Sequence, residues 1–157
     1  MAIALQFVLG MGLPSQAIAW FSAGKFSHVD CVLPDGRLLG ARSDGPGHTK
    51  PGVQIRPACY ESWKQRVVLT LPATRDQEWN FYTFLWDQLG KPYDHTAIWG
   101  FVAGRDWRSA GAWFCSELMA AASEVACLCP MLYAPINKVM PAALALVYSA
   151  LGATIVS

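Results

Sequence analysis

The sequence predicts an α+β fold, in which antiparallel strands and helices occupy separate parts of the chain. Short segments that read as strands, separated by turn residues, dominate residues 3–71. Segments whose apolar residues recur at helical spacing dominate from residue 75 onward. Because the two kinds of segment are segregated rather than strictly alternating, α+β is favoured over a parallel α/β architecture.

Length and composition restrict the class of protein. The chain has 157 residues, of which 54% are hydrophobic and 15% charged, with a formal net charge of +1. This length predicts a single domain spanning residues 1–157. The high apolar fraction excludes intrinsic disorder, and the absence of a Lys/Arg cluster argues against nucleic-acid binding. The many aromatic residues predict a large core, an adhesive surface or a site for an apolar ligand.

The first half of the chain predicts a series of strands. The turn residues Pro34, Asp35 and Gly36 indicate a hairpin between two of them. A short helix is also predicted at residues 15–21, where Ser15 can cap the first turn. The predicted strands are residues 3–9, 26–33, 37–42, 53–56 and 66–71.

The second half predicts three helical segments. The first runs from about Arg75 to Leu89, with Thr74 and Gln77 forming a capping box and Gly90 ending the helix. A second helix begins near Cys115, and a third apolar helix begins at Pro141 and is followed by a short strand. Apolar residues recur three and four positions apart on the first helix, which predicts one buried face. The residues of this face are Trp79, Tyr82, Leu85, Trp86 and Leu89.

Both ends of the chain carry apolar segments. Residues 3–13 precede an Ala-Ile-Ala sequence that resembles a signal-peptidase site, but no Lys or Arg comes before them, so we expect no cleaved signal. Residues 139–156 are interrupted by Pro141 and Gly152 and are shorter than the roughly 20 residues that span a bilayer. We therefore expect no transmembrane segment and a cytoplasmic protein, with export left open.

The five cysteines do not form a recognisable framework. Their odd number and irregular spacing argue against a secreted disulfide scaffold, and no pair has the spacing of a zinc site. We expect free thiols, no metal and no organic cofactor.

Cys115 is the cysteine with a candidate chemical role. It follows the bulky residues Trp113 and Phe114 and begins a helix of small residues. A thiol in the first helical turn faces unpaired backbone N–H groups and the positive end of the helix dipole, which favour the thiolate. The same N–H groups could stabilise an oxyanion. The alternative is a buried structural cysteine, which is a common fate of free Cys.

His28 is the candidate base. Strand alternation places His28 and Asp30 on one face, where the imidazole could accept a thiol proton and later protonate a leaving group. Side chains two residues apart on a strand stand about 7 Å from each other. Contact between His28 and Asp30 is therefore expected only if the strand is twisted or bulged. The alternative is a histidine at the edge of the core.

Three segments in this order resemble the circularly permuted branch of the papain-like NlpC superfamily, the YiiX-like proteins related to lecithin:retinol acyltransferase. They are Ser27-His28-Val29 with the following turn, Gly90-Lys91-Pro92-Tyr93-Asp94, and Phe114-Cys115-Ser116-Glu117-Leu118. In the unpermuted family the nucleophile helix precedes the histidine strand, whereas here the histidine comes first. The resemblance implies an antiparallel sheet packed against the nucleophile helix, in a papain-like fold of permuted topology.

The resemblance also implies thiol-dependent cleavage or transfer of an acyl group, with Cys115 and His28 as the dyad. Tyr93 matches a tyrosine that helps to bind the oxyanion, although it could equally be a turn residue that covers the core. The family often places a third polar residue at the position of Gly40, which has no side chain. Asp30, a backbone carbonyl or a water is therefore expected to orient the imidazole.

Three functions remain open from the sequence. The first is a hydrolase or acyltransferase acting on an amide, ester or thioester of a small-molecule, lipid or peptide substrate. The second is a peptidase of cell-wall peptides, and the third is an inactive binding module with an apolar groove. Gly40 is the feature that favours the inactive module.

Overall fold

The computed structural model describes residues 1–11, 24–43, 50–95, 111–129 and 138–156. Within these residues the centre of the fold is a six-stranded antiparallel sheet with the spatial order β4-β3-β2-β1-β5-β6. The strands are β1 (Ala2–Gly10), β2 (His28–Val32), β3 (Leu38–Arg42), β4 (Gly52–Arg56), β5 (Trp63–Pro72) and β6 (Thr154–Val156).

The five strands predicted in the first half of the chain are confirmed, with ends that differ by up to three residues. The predicted hairpin turn is also confirmed, because the N–H of Gly36 donates to the carbonyl of Leu33 at 2.8 Å. Gly36 has φ +82°, a left-handed conformation that glycine adopts without a steric cost. The helix predicted at residues 15–21 lies outside the described residues.

The described residues also form three helices: α1 (Arg75–Asp87), α2 (Cys115–Val125) and α3 (Pro141–Ala150). The capping box predicted for α1 is present. The Thr74 hydroxyl accepts from the N–H of Gln77 at 3.2 Å, and the Gln77 side chain accepts from the N–H of Thr74 at 3.0 Å. The predicted helix from Pro141 and the short strand after it are α3 and β6.

The two faces of the sheet differ in chemistry. Leu5, Cys31 and Leu39 are neighbours across β1, β2 and β3, and they belong to the apolar core. Leu118 and Met119 of α2 belong to the same core, so this face packs against the nucleophile helix predicted above. Since side chains alternate along a strand, the intervening residues face the other side of the sheet.

The second face carries buried polar residues. Gln6 is paired with Asp30 across β1 and β2, and neither is exposed. Arg56, near the end of β4, is only 2% exposed. Buried polar groups are stable only when they have partners, so this face of the sheet requires a network of contacts.

The buried face of α1 differs from the one predicted. Phe81 and Leu85 are completely buried, whereas Trp79 is 71% exposed and Trp86 is 46% exposed. The helix carries two apolar stripes, and only one of them can face the core. The prediction is confirmed for Leu85, and Tyr82 and Leu89 pack partly buried against the core, but it is wrong for Trp79 and Trp86.

None of the described helices is long and apolar enough to cross a membrane. All five cysteines are free thiols, and three of them, Cys31, Cys115 and Cys129, are buried.

Candidate active site

Cys115 is the first residue of α2, as the sequence predicts. Phe114 before it is extended, with φ −87° and ψ 155°, so an extended segment meets the helix at the thiol. The N–H of Phe114 is directed to the side chain of Glu117, whose Oε2 accepts at 3.4 Å. Ser116 donates its hydroxyl to the carbonyl of Val139 at 2.5 Å. These contacts fix the start of the helix and leave Cys115 itself buried.

His28 lies at the start of β2, close to two other candidate residues. Its Nε2 is 2.9 Å from Oδ1 of Asp30. The Cys115 side chain is also close enough to His28 to raise the pKa of its imidazole. The structure therefore brings together the thiol, the imidazole and the carboxylate that the sequence analysis selected.

The contact between His28 and Asp30 forms without a bulge, which is one of the two distortions, twist or bulge, that were expected to allow it. The pairing of β1 with β2 runs without interruption from Val8 opposite His28 to Ala4 opposite Val32. Without a bulge, local twist and the length of the imidazole are what can bridge the spacing of about 7 Å between alternate residues.

Gly40 provides the space that the Asp30 carboxylate occupies. A Cβ atom added at position 40 would lie 2.0 Å from Asp30 Oδ1 and 3.1 Å from its carboxyl carbon. The volume next to position 40 is therefore filled by Asp30, which arrives from the neighbouring strand.

Three further residues, which the sequence analysis did not select, surround Asp30. Tyr60 donates its hydroxyl to Asp30 Oδ2 at 3.0 Å, and Arg56 Nη1 lies 3.7 Å from Oδ1. Arg42 donates to the Tyr60 hydroxyl at 2.9 Å and pairs with Glu61 at 2.6 Å. A continuous series of contacts thus runs from the half-exposed Glu61 to the imidazole.

The charges in this cluster shift the pKa values of His28 and Asp30. Burial lowers the pKa of His28, but the charges of Asp30 and Cys115 outweigh burial and raise it from 6.5 to about 9. Burial raises the pKa of Asp30, but the charge and hydrogen bond of His28, with the charges of Arg56 and Arg42, lower it below its usual range. At neutral pH the site therefore holds an imidazolium beside a carboxylate.

Tyr93 lies next to the segment that leads into α2. It forms a parallel bridge with Trp113, and its ring centre is 5.9 Å from that of Phe114. The N–H of Trp113 donates to the carbonyl of Pro92 at 3.0 Å, which joins the two segments. Tyr93 therefore lies against the residue that precedes Cys115, and its 7% exposure also fits a role in the core.

Searches with the sequence find no matching family model and no matching curated protein. The fold is similar to the crystal structure of the metalloprotein YiiX from Escherichia coli O157:H7 (DUF1105). The TM-score is 0.65 at 18% identity, over 100% of this chain and 96% of that chain. The chain thus has a YiiX-like fold of mixed α+β type.

YiiX is described as a metalloprotein, and a metal centre requires several His, Cys, Asp or Glu ligands that lie close together. Among the described residues there is no group of three or more His, Cys, Asp or Glu side chains that could hold a metal ion. Asp30 is instead engaged by His28 and by cationic or neutral donors. The described part of the chain therefore does not fit a metal centre at this site.

Proposed function

We propose that this chain is a cysteine hydrolase or acyltransferase, with Cys115 as nucleophile, His28 as base and Asp30 as the group that orients His28. The observation that carries this proposal is the position of His28, which is paired with the Asp30 carboxylate and is close enough to a thiol at a helix start for that thiol to raise its pKa. A nucleophile, a base and a group that orients the base are the common elements of nucleophilic enzymes on unrelated folds.

The proposed fold is a single permuted papain-like domain, related to the NlpC and lecithin:retinol acyltransferase families. The order along the chain supports this proposal, because the histidine strand β2 precedes the nucleophile helix α2. The packing of α2 against β2 and β3 supports it as well.

The reaction proceeds in two steps through an acyl-cysteine. Because Nε2 of His28 faces Asp30, Nδ1 is the nitrogen that exchanges a proton with Cys115. The thiolate attacks the carbonyl carbon of the substrate and forms the S–C bond. The bond to the leaving amine, alcohol or thiol then breaks, and His28 supplies its proton. In the second step water or an acceptor group attacks the acyl carbon, returns a proton to His28 and releases the thiolate.

The start of α2 is the proposed oxyanion site. The first N–H groups of a helix have no carbonyl partner within the helix, so those of Cys115 and Ser116 can donate to the developing negative charge. Tyr93 is proposed to add its hydroxyl. Tyr93→Phe should then slow formation of the acyl-cysteine without changing the pH dependence that His28 produces.

The occupied space above Gly40 favours an enzyme over an inactive binding module. The missing side chain at position 40 was the reason to consider an inactive module. Asp30 now supplies an anionic partner for His28 in the same volume. The surfaces around the thiol decide whether the substrate is a small molecule, a lipid or a cell-wall peptide. All three classes can carry the acyl group on which the thiol is proposed to act.

The test uses a small activated ester, because Cys115 is only 1% exposed. The protein is incubated with p-nitrophenyl acetate, and mass spectrometry of its peptides measures acetylation at each cysteine. We expect Cys115 to be acetylated faster than the exposed Cys59, and His28→Ala to slow this reaction by about 100-fold. Addition of an amine or alcohol acceptor then separates transfer from hydrolysis.

Cys59→Ser is the matched control, because it removes an exposed thiol outside the site. It should leave the burst of p-nitrophenol unchanged, whereas Cys115→Ser should abolish it. If Cys115 is acetylated at the same rate in wild type and in His28→Ala, the proposed dyad is wrong.

A further inference from the structure

The loop between β4 and β5 brings Tyr60 to the side of Asp30 that faces away from His28. The two oxygens of the carboxylate have separate partners: Oδ1 lies 2.9 Å from His28 Nε2, and Oδ2 accepts from the Tyr60 hydroxyl at 3.0 Å. Oδ2 is thus held by a hydrogen bond, whereas Oδ1 faces the imidazole as one half of an ion pair.

Arg42 determines the direction of the Tyr60 hydroxyl. Its Nη1 donates to Tyr60 Oη at 2.9 Å, and a guanidinium cannot accept a hydrogen bond. The single hydroxyl proton is therefore directed to Asp30. The guanidinium also lies 5.1 Å from the centre of the Tyr60 ring, which anchors the ring in place. Burial, followed by the charge of Asp30, raises the pKa of Tyr60 above its ordinary value, so the hydroxyl keeps its proton.

Arg56 is a competing partner for the same carboxylate. Its Nη1 is 3.7 Å from Asp30 Oδ1, the oxygen that faces His28, and it also donates to the carbonyl of Gly40 at 3.3 Å. Without a donor on Oδ2, the carboxylate is free to rotate toward this buried cation and away from the imidazole. Tyr60 opposes that rotation.

We propose that Tyr60 is a positioning residue of the candidate site, which holds the Asp30 carboxylate so that Oδ1 faces His28 rather than Arg56. This inference rests on the proposed function. Through Asp30, Tyr60 keeps a proton on Nε2 of His28 and leaves Nδ1 directed to Cys115. Residues on β3, on β4 and in the loop after β4 thereby become part of the site.

The test is Tyr60→Phe, which removes one oxygen and keeps the ring that packs edge-to-face on Trp63 at 5.3 Å. The pKa of His28 is measured by NMR of ¹⁵N-histidine-labelled protein. The chain has three histidines, so His28→Ala assigns the signal. We expect the pKa of His28 to fall by at least about one unit, because the Asp30 carboxylate that stabilises the imidazolium turns toward Arg56. One unit corresponds to a tenfold change in proton affinity. Acetylation of Cys115 should slow by about tenfold or more.

Tyr82→Phe is the matched control. The Tyr82 hydroxyl is also partly buried, but it donates to the backbone carbonyl of Val32 at 3.3 Å, away from Asp30. This control should leave both the His28 titration and the acetylation rate unchanged. An unchanged His28 titration in folded Tyr60→Phe would overturn the proposal. If wild-type acetylation proves independent of His28, the proposed function fails, while the NMR titration still decides the role of Tyr60.

Discussion

Replacing Gly40 with alanine tests the central feature of the site. The added Cβ would lie 2.0 Å from Asp30 Oδ1, whereas carbon and oxygen atoms in contact are about 3.3 Å apart. The carboxylate is completely buried and is held by His28 and Tyr60, so it cannot retreat without losing a partner. Overpacking alone costs about 1–3 kcal/mol, and separating a buried ionic pair costs about 3–5 kcal/mol.

We therefore expect Gly40→Ala to lower the free energy of unfolding by about 3 kcal/mol, and the Tm by about 6–12 °C for a chain of this size. Urea and thermal unfolding followed by circular dichroism measure the effect. The decisive comparison is a double-mutant cycle with Asp30→Ala. Because the shorter side chain empties the contested volume, the double variant should be more stable than the sum of the single effects by about 1–3 kcal/mol.

Gly36→Ala is the control for the general effect of replacing a glycine. Its Cβ would meet nothing within 4 Å, but its φ of +82° makes alanine strained by about 1–2 kcal/mol. This cost should add independently to that of Asp30→Ala. The reasoning is refuted if the free energy of unfolding of Gly40→Ala lies within about 0.5 kcal/mol of the wild-type value. It is also refuted if the effects of Gly40→Ala and Asp30→Ala on that free energy are additive.

Three further predictions concern the charges and the helix cap. Asp30→Asn should slow acylation of Cys115 by about 10²–10⁴-fold, measured by burst kinetics, and should destabilise the fold because Arg56 loses a buried counter-charge. The pKa of His28 is raised from 6.5 to about 9, so protonated His28 should add roughly 3 kcal/mol to the free energy of unfolding. This contribution should be complete below pH 6.5 and lost as the pH rises through 9. Urea unfolding across this range checks it, with His28→Ala showing a flatter profile. Thr74→Ala should cost about 1 kcal/mol by thermal unfolding and leave acylation unchanged, because the cap lies at the start of α1.

Local patterns in the sequence predicted most of the elements and the first layer of the site. Alternation along β2 placed His28 and Asp30 on one face, and the small residues after Phe114 indicated a helix starting at Cys115. These predictions depend only on neighbours within a few residues, where the geometry of a strand or helix start is fixed by the backbone.

The residues around Asp30 were missed because strand register brings them together. The alternation in Val53-Gln54-Ile55-Arg56 places Arg56 on the face opposite the apolar residues, but it does not reveal that β4 lies beside β3. Tyr60 belongs to a loop whose path follows from that pairing. Likewise, the two apolar stripes of α1 are equivalent in sequence, and only packing decides that Phe81 is buried and Trp79 exposed.

A carboxylate as the partner of His28 has structural requirements that explain its surroundings. A buried anion needs counter-charges and hydrogen bonds, which Arg56 and Tyr60 supply. It also needs volume, which the glycine at position 40 leaves open. The two arginines, Arg42 and Arg56, lie beside Glu61 and Asp30, and their charges help to keep the pKa of Asp30 below its usual range. Removing either arginine should therefore raise the pKa of Asp30 and weaken its pairing with His28, even though neither arginine needs to contact the substrate.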